Sequence, residues 1–177
     1  MGSDKALLKT GSGLSVLDRT IEVVEAISLR QVLVVDSTER YRGCSIPKIS
    51  DLYPDTGPLG GIITGLRFLR TGRHIVVSCD LPRLSGKVLQ LLLNVDKSAD
   101  VVVPMVAGRL QPLCAVYSYQ SVELLQAEFD AGERSISKAI VKLRQRIVSE
   151  EELKSVDPEM TSFFNLNTPQ DLERYRT

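Results

Sequence analysis

Two stretches of this chain, "HIVVSCD" (74–80) and "ADVVVPM" (99–105), are apolar without alternation. A strand with one face in water alternates apolar and polar residues, so an unbroken apolar run marks a strand covered on both faces. Such strands need helices above and below them, and the sequence supplies the helices. From Leu14 onward, Leu17, Ile21, Val24 and Ile27 recur at spacings of three and four, the period of one helical face. "LGGIITGLRFLR" (59–70) and "SGKVLQLLLNV" (85–95) read the same way, with Ser85 as an N-cap. Further strands are predicted at "QVLVVD" (31–36), more weakly at "SIPKIS" (45–50), and at "QPLCAVYS" (111–118). Helices follow around Val122 to Phe129 and Ile136 to Leu143, and a last helix opens at Thr168 and Pro169. Strands that alternate with helices predict an α/β fold of three layers, a mostly parallel twisted sheet with helices on both faces. At 177 residues, residues 1–177 are expected to form a single domain.

In a sheet of this kind ligands bind beyond the carboxyl ends of the strands. Three of the predicted strands end in an acid, at Asp36, Asp51 and Asp80. Asp80, in "SCDLP", has the chemistry to hold a hard cation such as magnesium, which takes carboxylate oxygens and keeps positions for phosphates; as a turn cap it would serve equally well. "DLYPDTGPLGG" (51–61) carries more turn chemistry than a connection needs. Pro58 is explained by a turn. Gly60 and Gly61 at the start of a helix each cost about 1 kcal/mol against alanine, which suggests that something approaches the backbone closely. "TGSGLS" (10–15) has Val16 where a phosphate-binding GxGxxG would have its third glycine, and reads instead as a turn with Ser12 or Ser15 capping a helix. The charges of "SKAIVKLRQR" (137–146) read as a solvated helix face, and the single histidine, His74, is given no role.

Composition narrows the partners. Acids and bases number 22 each, which argues against nucleic acid or an anionic membrane surface. Cys44, Cys79 and Cys114 form no CxxC pair and read as reduced thiols. No apolar run is long enough for a bilayer, and a cytoplasmic location is expected.

Several blocks together resemble a known family. "MGSDKALL" is similar to the end of the N-terminal signature LAGGxSxRMGxDKxLL of the molybdenum cofactor guanylyltransferases, and "GPLGGI", "SCDLP", "QPLCAVYS" and "FFNLNTPQDL" resemble its later blocks in the same order. The resemblance implies a Rossmann-like nucleotidyltransferase domain that moves GMP from GTP to molybdopterin, or its molybdenum form, with Mg2+ and release of pyrophosphate. It implies that Lys5 binds the nucleotide phosphates, that Asp80 holds magnesium, and that Asp51 and Asp36 contact guanosine. Gly60 and Gly61 would leave room beside the nucleotide, and Gln111, Asn165 and Asn167 would line the acceptor side. Partners would be GTP, molybdopterin and proteins of the molybdenum cofactor pathway. Only Met1, Gly2 and Ser3 precede Asp4, so the resemblance also implies that the first strand and the LAGG loop are missing, as in a chain shortened to an internal methionine. Related cytidylyl or sugar-phosphate transfer, or a non-catalytic homologue, are the alternatives.

Overall fold

A computed structural model describes residues 4–10, 13–70 and 72–165. The first helix, α1 (Val16–Glu25), starts at a reciprocal cap: the Ser15 hydroxyl accepts from the Asp18 amide while the Asp18 carboxylate accepts from the Ser15 amide. Its apolar stripe turns inward at Leu17 and Ile21. Then come β1 (Leu33–Val35), β2 (Lys48–Ser50), α2 (Pro58–Leu69), β3 (Arg73–Val77) and α3 (Gly86–Asn94), the last capped by Ser85 as predicted. The chain continues through β4 (Val101–Val106), β5 (Arg109–Leu110), β6 (Cys114–Ser118), α4 (Ser121–Asp130), α5 (Ile136–Ala139), β7 (Gln145–Val148) and α6 (Glu150–Lys154).

The expected layers are present. Alternate residues of β4 and β6 enter opposite cores: Val101, Val103, Ala115 and Tyr117 pack with α2 and α4, whereas Val102, Cys114 and Val116 pack with α3 and Leu153 of α6. Residues on both faces of β6 are fully buried, as the unbroken apolar run requires.

Strand pairing is mixed. β3, β4 and β7 share one direction, but β6 lies between β3 and β4 and runs against both. The segment 107–113 is too short for a crossover helix, so the chain leaving β4 can only return antiparallel. A second departure is β7. Gln145 and Arg146 close the predicted charged helix face of 137–146, yet "QRIV" (145–148) pairs parallel with β4 in the register Val101↔Gln145 to Pro104↔Val148. Its backbone completes the β4 ladder, and the helical turn before it stops at Lys142.

The strands form two separate sheets: β1 with β2, and the five-stranded sheet. Among the described residues β1 pairs only with β2, and β3 only with β6, so each has one open edge. The two edges border a cavity of about 800 Å³ lined by residues 28–36 and 73–79 without a gap. A strand presenting a face would contribute every second residue; continuous lining means that its edge is turned to the space. Leu17, Ile21 and Val24 of α1 and Gly61, Gly65 and Leu69 of α2 line it as well. All five residues of β3 are accordingly only half-buried. Among the described residues no helix is long and apolar enough to cross a membrane.

Candidate active site

The carboxyl ends of β1, β2 and β3 meet at one end of the slot. Asp36 and Asp51 line it, together with Ser78 and Cys79 directly ahead of Asp80. Asp51 continues the β2 ladder by donating its amide to Val35 O at 2.7 Å. Its Oδ1 accepts from the Tyr53 amide at 3.0 Å and the Thr64 hydroxyl at 2.8 Å, so the side chain is held against α2. Asp36 accepts from the Ser37 amide through Oδ1 and from Arg40 through Oδ2. Asp80 Oδ1 accepts from the Ser78 hydroxyl at 2.5 Å.

The turn that begins at Lys5 reaches the same place. It is a single 3-10 turn (Lys5–Leu7) capped by Asp4, whose Oδ1 accepts from the Ala6 amide at 3.1 Å. Ala6 packs with Leu17, Ile21, Leu33 and Cys79, which ties this turn to α1, β1 and the end of β3. Electrostatics agrees with that placement. The Cys79 thiol is pushed up first by burial and then by the negative charges of Asp80 and Asp4. At Asp4 burial opposes ionisation, but hydrogen bonds with Arg40, Tyr41 and the Ala6 amide outweigh it and hold the carboxyl below its ordinary value. The turn of Lys5, Asp36, Asp51 and Asp80 are therefore gathered at one end of the strands.

The two glycines differ. Gly60 is buried, and a Cβ there would meet Thr56 Oγ1 at 2.7 Å and Tyr53 Cβ at 2.8 Å. Its missing side chain is explained by the packing of the 51–57 turn on its own helix. Gly61 faces the slot, where a Cβ would find Asp51 Oδ2 at 3.7 Å. The turn itself is held by the Thr56 hydroxyl donating to Tyr53 O and by left-handed backbone at Asp55 and Gly57. Gly57 then starts α2 with Pro58 at its first position and no side-chain cap.

On the other side, Gln111 lies in the turn leading to β6, at the same end of the sheet as Asp80: the Ser78 amide donates to Leu113 O at 2.8 Å. Asn165 follows Phe164, whose ring lies under the Arg83 guanidinium, and Ser162 Oγ accepts from the Ser85 amide at 3.1 Å. Gln111 and Asn165 thus flank the segment that follows β3. Asn167 and the predicted last helix lie outside the described residues.

Sequence reasoning passed over Asp4, Arg40 and Lys48. Arg40 donates to Asp4 at 2.5 Å and to Asp36 at 2.9 Å. Only its four-residue spacing from Asp36 was visible in the sequence; Asp4 lies 36 positions away.

Magnesium can be tested against these residues. Among those described, no group of three or more His, Cys, Asp or Glu side chains could cage a metal. Magnesium does not require a cage, because it is commonly held by one or two carboxylates plus substrate phosphates. Asp80, oriented by Ser78 and placed beyond β3, fits that donor set.

The MobA-like NTP transferase domain model matches residues 1–147. The molybdenum cofactor guanylyltransferase of Desulfosudis oleivorans is 32% identical over 174 residues, covering 98% of this chain and 86% of that protein. Among solved structures, molybdopterin-guanine dinucleotide biosynthesis protein A of Archaeoglobus fulgidus superposes with a TM-score of 0.85 at 25% identity, over 99% of this chain and 90% of that one. The 2-C-methyl-D-erythritol 4-phosphate cytidylyltransferase of Thermus thermophilus shares the fold, with a TM-score of 0.73 at 16% identity over 97% and 92% of the two chains. With its acids collected at the strand ends and these matches along nearly its whole length, this protein belongs to the MobA-like nucleotidyltransferase family, alongside the molybdenum cofactor guanylyltransferases.

Proposed function

We propose that residues 1–177 act as one nucleotidyltransferase unit that transfers GMP from GTP to the terminal phosphate of molybdopterin, or of its molybdenum-loaded form, in the cytoplasm. The observation that carries this reading is the convergence of the Lys5 turn, Asp36, Asp51 and Asp80 in a chain 32% identical to a guanylyltransferase.

An acceptor phosphate oxygen attacks the α-phosphorus, the bond from that phosphorus to the oxygen bridging to the β-phosphate breaks, and pyrophosphate leaves with that oxygen. The acceptor is already ionised, so no side-chain nucleophile is required. The barrier is chiefly the repulsion between anions brought together, and fixed positive charge lowers it. Lys5 supplies an ammonium at the phosphates. Asp51, immobilised by Tyr53 and Thr64, and Asp36 face the guanosine. Gln111 and Asn165 orient the acceptor, with Asn167 assigned to the same side, and Gly61 leaves room beside the nucleotide. Asp80 would hold magnesium, which, when bound with the nucleotide, neutralises phosphate charge. Holding donor and acceptor in line supplies much of the remaining acceleration.

The test is pyrophosphate release from GTP in the presence of molybdopterin and Mg2+. Asp80→Ala is expected to slow it by about two orders of magnitude or more, the scale of losing an electrostatic stabiliser. A variant as fast as the wild type would remove Asp80 from the reaction, and CTP displacing GTP at equal concentration would overturn the choice of base.

A further inference from the structure

We propose that Arg40 is a positioning residue: its guanidinium locks the turn that carries Lys5 onto Asp36 at the end of β1, and so sets the distance between the phosphate-binding and nucleoside-binding groups. This deepens the GTP reading above and rests on it for its functional consequence.

The geometry is that of a clamp. One terminal nitrogen of Arg40 donates to Asp4 Oδ2 at 2.5 Å and the other to Asp36 Oδ2 at 2.9 Å. The remaining oxygen of each acid is committed locally, Asp4 Oδ1 to the Ala6 amide and Asp36 Oδ1 to the Ser37 amide at 2.7 Å. Each carboxylate is therefore held from both sides, and the guanidinium joins two segments that are distant in sequence. The planar fork is suited to this, since a lysine ammonium on its flexible stem would not span two fixed acids with the same geometry.

Arg40 is itself held in place. Its guanidinium lies 5.0 Å from the centroid of the Tyr41 ring and donates to the Tyr41 hydroxyl at 3.1 Å. Tyr41 has φ of 52°, left-handed backbone that a residue with a Cβ adopts only when its surroundings impose it. Lys48 at the start of β2 holds this loop: its ammonium donates to Thr38 O at 2.6 Å, Arg40 O at 2.8 Å and Tyr41 O at 3.5 Å. The chain of contacts runs from β2 through Lys48 to the 38–41 loop, through Arg40 to Asp4, and so to Lys5. An isolated surface ion pair contributes little. Here the pair belongs to a network that is anchored to a strand at one end and a capped turn at the other, and it also offsets two negative charges at the mouth that a triphosphate must enter.

Hydrogen exchange and GTP titration test this together, on the full chain. In Arg40→Gln the amides of residues 6–8 are expected to exchange about tenfold faster than in the wild type, the scale of losing one charge-assisted hydrogen bond. The dissociation constant for GTP with magnesium should rise about tenfold in both Arg40→Gln and Arg40→Lys, because the second keeps the charge but not the fork. Asp4→Asn should behave likewise, and the double variant Asp4→Asn with Arg40→Gln should be no worse than either alone. Exchange at residues 6–8 that stays at the wild-type rate in Arg40→Gln overturns the clamp. Wild-type GTP affinity in Arg40→Lys shows that charge alone matters and overturns positioning. Failure of the wild type to bind GTP would sink the guanylyl reading instead, and the exchange result would still decide the clamp.

Discussion

Gly60 and Gly61 are adjacent in the sequence and should respond to alanine with opposite signs. A Cβ at Gly60 would lie 2.7 Å from Thr56 Oγ1, 2.8 Å from Tyr53 Cβ and 3.2 Å from Tyr53 O. None of these can step aside cheaply. The Thr56 hydroxyl is committed to Tyr53 O at 2.6 Å, and the Tyr53 ring is held by Phe129 at 4.6 Å between centroids and by its own hydroxyl donating to Gln126 at 2.7 Å. Overpacking of this kind costs about 1–3 kcal/mol, and a broken Thr56 bond adds about 1 kcal/mol. Helix propensity returns about 1 kcal/mol, leaving Gly60→Ala destabilised by about 2 kcal/mol. At Gly61 the nearest atoms are Asp51 Oδ2 at 3.7 Å and Val34 Cγ1 at 3.9 Å, ordinary contacts, so Gly61→Ala should gain up to about 1 kcal/mol. For a chain of this size the two variants should differ in Tm by about 6–12 °C, at roughly 2–4 °C per kcal/mol. Denaturant and thermal unfolding of the pair provide the measurement. A Gly60→Ala protein at or above wild-type stability would refute the packing argument. If Gly61→Ala is stabilised and also binds GTP normally, Gly61 has no part in the nucleotide contacts.

Asp157→Ala should cost about 3 kcal/mol in denaturant unfolding, since its carboxylate accepts from the Thr161 amide and hydroxyl and the Ser162 amide, and Ser162 in turn holds Ser85. The acid limb of stability should begin near pH 4. At Asp157 burial opposes ionisation but the Ser162 and Thr161 hydrogen bonds prevail, and Asp4 and Glu152 are also depressed, so the stabilisation is complete above the unfolded carboxylate range of about 4 and is lost as pH falls through the lower folded values. Asp157→Asn should flatten that limb in a plot of unfolding free energy against pH. Burial pushes the Cys114 thiol up to about 12, so alkylation at pH 8 followed by mass spectrometry should label Cys44 while Cys114 reacts only after unfolding. Tyr117→Phe removes the buried hydroxyl that donates to Pro112 O at 2.9 Å and should cost about 1–2 kcal/mol.

Much of this architecture can be read from local signals. The caps at Ser15 and Ser85 and the proline at position 58 mark helix starts through contacts that span only a few residues. The continuous apolar runs identify buried strands because burial on both faces leaves no polar position. What local pattern cannot carry is partnership. β7 is four residues with two of them polar, and it is a strand only because β4 lies alongside, more than forty positions earlier. The reversed direction of β6 follows from a short connection rather than from its composition. At the site, the acids closing the strands were visible as residues, but the Asp4–Arg40 contact joins distant segments, and the need for glycine at position 60 comes from Tyr53 and Thr56 across a turn.

The gap between the two sheets has a dynamic consequence. No backbone hydrogen bond among the described strands crosses from β1 to β3, so the small sheet with Asp36 and Asp51 can open without tearing the ladder that leads to Asp80. A nucleotide that touches acids on both sides would act as the missing mortar, and part of its binding energy would become folding energy for the β1–β2 pair. GTP with magnesium should then slow amide exchange in β1 and β2 far more than in β6, whose protection is set by the main core alone.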